Sequence, residues 1–151
     1  MGQGRRYVIA RFFNSRAGDR TIFVVALLLV GRQAFSYAFW AVIDVSVRLG
    51  IWPRDWLKVD VYGVIASTGV LHEIVFVLAS ICFIASFVLL VLRSRFALHV
   101  LIASLIPGIG DWVMMTGIPE LSNDLSGYLH LIGHLIAICA LLRLRQRGVL
   151  R

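Results

Sequence analysis

The stretch 61–92, VYGVIASTGVLHEIVFVLASICFIASFVLLVL, carries a single carboxylate, Glu73, beside a single imidazole, His72, and stops at Arg93-Ser94-Arg95. A helix rises 1.5 Å per residue, so about 20 apolar residues cross the roughly 30 Å hydrocarbon core of a bilayer. This run is longer than that, which predicts a transmembrane helix that tilts or protrudes. Three more apolar runs, 22–47, 96–118 and 122–142, are each long enough to cross. The predicted fold is therefore all-α, a transmembrane four-helix bundle over 21–143. A basic amphipathic segment over 1–20 precedes it and a basic tail over 144–151 follows.

Composition excludes the soluble alternatives. The chain is 60% hydrophobic and 15% charged, with a mean hydropathy of +0.87, which leaves too little polar surface to wrap a water-soluble globule of 151 residues. The net charge of +7 does not predict a nucleic-acid partner, because the basic residues sit at the ends of apolar runs rather than on one face. Membrane lipids and other membrane-protein subunits are the expected partners. Cys82 and Cys139 lie inside apolar runs without CxxC spacing and read as small core hydrophobes. The first apolar run is too long for the core of a cleaved signal peptide, so it is expected to remain as a helix.

Charge bias orients the bundle. Arg5, Arg6, Arg11, Arg16 and Arg20, the turn residues Arg93 and Arg95, and Arg143, Arg145, Arg147 and Arg151 place eleven basic groups on one side. Arg48, Arg54 and Lys58 give three on the other. The positive-inside rule then puts both termini in the cytoplasm of a bacterial inner membrane. Trp52, Trp56, Tyr62, Trp112 and Tyr128 collect toward the outer interface as an aromatic belt. Arg5, Arg6, Arg11, Arg16 and Arg20, interleaved with Tyr7, Val8, Ile9, Phe12 and Phe13, read as anchors on anionic lipid. The 51–58 stretch, with Pro53 between Trp52 and Trp56, predicts a short helix in the outer interface.

Ionisable groups within the spans are costly, so each needs a partner or a purpose. Arg32 and Asp44 fall in the first run, His72 and Glu73 in the second, His99 and Asp111 in the third, and His130 and His134 in the fourth. Counting depth along alternating helices brings Arg32 level with Glu73 and predicts an ion pair, either as a fastener of helix register or as the floor of a pocket. Gln33, Tyr37 and Asp44 share a helical face, and with His72 and Asp111 they predict one outward-opening polar pocket. His130 and His134, four residues apart, could present two imidazoles to a metal, with His72, Glu73 or Asp111 as a third ligand. His72 and His134 could alternatively flank a b-type haem, and core histidines that merely complete hydrogen bonds remain open as well. Pro107 within Pro107-Gly108-Ile109-Gly110-Asp111 is expected to break the third helix and free a carbonyl near Ala103. The turn 119–124 is expected to cap the fourth helix.

The first helix, Leu27-Leu28-Leu29-Val30-Gly31-Arg32 leading into Phe35 and Phe39, together with Glu73 and the turn Arg93-Ser94-Arg95-Phe96-Ala97, resembles the DoxX/DoxD-type small membrane proteins over 22–143. The first helix here closes on Ala41-Val42-Ile43-Asp44, where members usually carry a glycine and a lysine. The resemblance implies a four-helix inner-membrane bundle linked to thiol and sulfur redox chemistry. With no nucleophile–base pair or phosphate loop in the chain, the expected role is a non-catalytic accessory subunit of a bioenergetic or redox complex. Its pocket would take a quinone, a lipid headgroup or a partner helix. A haem b electron carrier, and a transporter or proton conductor working through Arg32, Glu73 and Asp111, are the alternatives.

Overall fold

The computed structural model describes residues 15–52, 60–116 and 126–151 and contains six helices there, with no strand among the described residues. They are α1 (Arg16–Arg48), α2 (Val61–Ser67), α3 (Val70–Val91), α4 (Phe96–Ala103), α5 (Leu105–Thr116) and α6 (Ser126–Gln146). Four units are long and apolar enough to cross a membrane: α1, α3, α4 with α5, and α6. Between 22% and 28% of the most apolar window of each lies inside the bundle. The remainder faces outward, with Phe35 at 75% and Ile106 at 82% exposure, a surface that suits hydrocarbon rather than water.

α1 starts earlier than its apolar run. Ser15 accepts a hydrogen bond from the Gly18 N–H at 3.1 Å, capping the helix six residues before the hydrophobic stretch, and Asp19 in the first turn suits the positive end of the dipole. Arg16 and Arg20 therefore belong to α1 itself rather than to a separate segment over 1–20. Arg5, Arg6 and Arg11 lie outside the described residues.

Packing is built on small side chains, as expected where lipid offers no hydrophobic drive between helices. Ala26, Val30 and Ala34 form one buried stripe on α1 against α3 and α6, and Gly31 brings α1 close to the Phe87 ring. Ala79, Phe83 and Leu90 of α3, Leu98 and Leu101 of α4, and Ala137, Leu141 and Leu144 of α6 complete the core. A second, smaller cluster joins Ile43 and Val47 to Val61 of α2, where the Tyr62 hydroxyl donates to the Trp52 carbonyl.

Three expectations about element shape are corrected. The run 61–92 is two helices, because Thr68 and Gly69 take extended backbone angles between α2 and α3. α3, with 22 residues, is then a span of ordinary length, and α2 folds against the end of α1. The third span breaks at Ser104, and Pro107 sits in the first turn of α5, where a missing N–H costs little. The C-terminal residues are no free tail: the left-handed Gly148 ends α6, Leu150 is buried in the core, and Arg151 exchanges backbone hydrogen bonds with Arg93 and Arg95 at 2.8 and 2.7 Å. The interfacial helix at 51–58 and the turn 119–124 fall largely outside the described residues.

These contacts gather the start of α1, the 93–95 turn and the end of α6 at one end of the bundle. Arg147 reaches Asp19 at 3.5 Å, and the Arg93 guanidinium lies over the Phe23 ring at 5.2 Å. His99, exposed at the same end, lies 3.3 Å from Arg145. The opposite end carries Asp44, Arg48, Trp52 and Glu73.

Candidate functional site

Toward that second end the helices enclose a cavity of about 380 Å³, lined from α1, α2, α3, α5 and α6. Asp44, Tyr37 and Gln33 descend one face of α1 into it, because residues four and seven apart return to nearly the same side of a helix. Across from them stand His72, Glu73 and Phe76 of α3, Asp111 and Trp112 of α5, and His130 and His134 of α6. The broken third span matters here. By restarting at Leu105, the chain turns Gly108, Asp111 and Trp112 toward the cavity, and the absence of a side chain on Gly108 lets the Phe83 ring approach.

At the mouth Arg48 joins two carboxylates. Its Nε lies 3.1 Å from Asp44, one helical turn earlier, and one terminal nitrogen lies 2.6 Å from Glu73. The expected pairing of Arg32 with Glu73 is thereby corrected: Arg32 points away from the bundle, exposed on α1. Depth alone pairs them, but a helix advances 100° per residue, so Gln33 turns inward while its neighbour turns out. The i, i+4 spacing of Asp44 and Arg48 is the sequence signal for their pairing.

Deeper in, Asp111 links three helices. The Tyr37 hydroxyl donates to its Oδ2 at 3.1 Å. Nε2 of His72 stands 3.1 Å from its Oδ1 with both side chains 14% exposed, close enough for a charge contact, although neither atom has hydrogen-bond alignment. Tyr37 is held in place by stacking on Phe83 at 4.7 Å and by tilting against Phe76 at 5.8 Å. Gln33, 3% exposed, donates from Nε2 to the His130 carbonyl at 3.0 Å, and its buried Oε1 has no hydrogen-bond partner among the described residues. An acceptor left so in an enclosed wall is costly unless something in the cavity donates to it.

At the floor, His134 closes the break in the third span. Its Nε2 meets the Leu101 carbonyl at 2.8 Å, the same carbonyl that takes the Ser104 hydroxyl at 2.7 Å, while its ring edge packs on Phe83 at 5.2 Å. Nε2 is thus the protonated nitrogen, assigned from its partner. His134 meets a carbonyl beside the break, a role that neither its spacing from His130 nor its depth announces. For haem, Nε2 of His134 is already taken by the Leu101 carbonyl, whereas Nε2 of His72 has only the unaligned contact with Asp111. For another metal, no three His, Cys, Asp or Glu side chains among the described residues come together as an ion would need, so the third ligand expected beside His130 and His134 is not supplied.

The arrangement can hold a molecule with an apolar body against Trp40, Phe76 and Trp112, and can exchange hydrogen bonds with it through Gln33, Tyr37 and Asp111. Compared with protein-family models, with curated proteins and with solved structures, the chain has no match.

Proposed function

We propose that this chain is a small accessory subunit of a membrane redox complex, whose cavity holds the headgroup of a quinone. The observation that carries this reading is the unanswered Gln33 Oε1 set beside the Tyr37–Asp111 contact in an aromatic wall. One quinol hydroxyl can donate to Gln33 and the other to the Tyr37 oxygen, whose own proton goes to Asp111, while the isoprenoid chain follows the lipid-facing helices. The resemblance of the first helix and the 93–95 turn to DoxX/DoxD-type proteins supports the redox setting. The basic residues gathered at one end support a bacterial inner-membrane orientation with both termini in the cytoplasm and the cavity opening outward. Accessibility of single cysteines placed at residues 50 and 147 tests that orientation, and labelling of both from the same face overturns it.

The ligand reading is tested by titrating the detergent-purified protein with a short-chain ubiquinol analogue, kept reduced, and following tryptophan fluorescence. Saturable quenching is expected. Gln33→Leu should weaken it about tenfold, the size of one lost hydrogen bond. Quenching that stays linear with concentration, or that ignores Gln33→Leu, rejects the quinone.

A further inference from the structure

Val25, Leu28, Arg32, Phe35, Phe39 and Val42 follow one another at alternating steps of three and four along α1, and every one of them is exposed. That alternation is the seam of a heptad repeat, the pattern by which one helix packs along another at a shallow crossing angle. The seam is apolar except at its centre. Arg32 lies nine residues beyond Phe23, whose ring sits under Arg93, and twelve short of Asp44. At 1.5 Å per residue it is about 13 Å from one charged rim and about 18 Å from the other. Its guanidinium has no hydrogen bond or ion pair with any described residue, and arginine cannot escape the cost of hydrocarbon by losing its proton.

We infer that this seam is the docking surface for a transmembrane helix of another protein, one that places a carboxylate at mid-membrane against Arg32. The inference rests on the accessory-subunit reading for its biological setting, but not on what the cavity binds. A second copy of this chain is the wrong occupant. Arg32 sits at the middle of α1, so a symmetric pair on this seam sets one guanidinium against the other, whether the helices run parallel or antiparallel. The chain offers it no side-chain carboxylate at that depth among the described residues either: Asp19 lies at one end with Arg147, Asp44, Glu73 and Asp111 lie toward the other with Arg48, His72 and Tyr37, and Asp60 caps α2, which folds against that same end of α1. A lipid phosphate is too shallow, since the side chain would have to climb most of a leaflet to meet it.

The test uses the full chain in zwitterionic phosphatidylcholine vesicles, with a fluorophore on the chain and an acceptor on synthetic polyleucine helices. One helix carries a single central aspartate, a second carries that aspartate near its end, and a third carries none. The centrally acidic helix should associate about tenfold more tightly than the other two, the scale of one interhelical polar contact in a bilayer. Arg32→Gln should erase that difference while leaving far-UV helicity and quinol-analogue quenching unchanged. Equal association of all three helices overturns the inference, and because the wild-type chain alone reads this out, a poorly folding variant does not obscure it. Self-association through a photo-crosslinker at position 35, or a central-aspartate effect that survives Arg32→Gln, overturns it as well. An arginine effect that appears only when anionic lipid is added assigns Arg32 to headgroups instead. Failure here with quinol quenching intact leaves the cavity reading standing, and the reverse result leaves the seam.

Discussion

Asp111 is the point where three helices meet, so a double-mutant cycle on its contact with Tyr37 probes fold and cavity together. The perturbations are Tyr37→Phe, which removes the hydroxyl and keeps the ring stacked on Phe83, and Asp111→Ala, which removes the acceptor that Asp111→Asn would keep. In soluble proteins a hydrogen bond to a charged group contributes about 1.5–3 kcal/mol. In bilayers the chain unfolded within the membrane finds other partners, and interhelical bonds average about 0.6 kcal/mol with an upper end near 1.7. The 3.1 Å contact is partly buried, the carboxyl being 14% exposed, and it involves an acidic group, so the coupling energy should fall toward that upper end, about 1–1.7 kcal/mol. Asp111→Ala should cost more than Asp111→Asn, because it strands the Tyr37 hydroxyl and the His72 ring together. The assay is reversible unfolding in mixed micelles of increasing SDS content, followed by far-UV circular dichroism on the four members of the cycle. A coupling within error of zero, with both single variants destabilised, would mean that hydroxyl and carboxyl do not meet and that the three-helix link is wrong.

Glu73→Gln should cost less than about 1 kcal/mol in the same titration, because the pair is solvent-exposed at the mouth and Arg48 keeps Asp44. Arg48→Leu should cost more, since it leaves two carboxylates side by side. His134→Phe keeps the ring against Phe83 and leaves the Leu101 carbonyl to Ser104, so it should lose only about 1 kcal/mol, whereas His134→Ala also opens a cavity and should lose about 2–4. Equal losses in the two would deny His134 its packing role. Removing residues 149–151 should destabilise the bundle by about 2 kcal/mol, roughly the burial of one leucine, and should speed proteolysis at the 93–95 turn. Unchanged stability would show that the C-terminal clip carries no load. Gly127→Leu drives a side chain into the Trp112 ring, which lies against the site of a Cβ at Gly127, so the tryptophan emission should shift.

Hydrophobicity is a local property, and what depends on it could be read from the chain directly. The four candidate spans and the charged turn at 93–95 follow from the transfer cost of each segment, which no distant residue alters. The breaks were legible in part: Ser67-Thr68-Gly69 is a cluster of poor helix formers that the apolar count alone passes over, while Pro107 marked its break to within three residues. Partner choice inside the membrane was different. Sequence gives the depth of a side chain on its helix, but the direction it faces is set by how the helices pack. Arg32 and Gln33 are neighbours at one depth, yet packing on the Ala26, Val30 and Ala34 stripe sends the glutamine to the cavity and the arginine to lipid. The same packing delivers Glu73 to Arg48 and His134 to a carbonyl, because a charge or a ring finds its partner by azimuth and distance, which exist only once the helices have met.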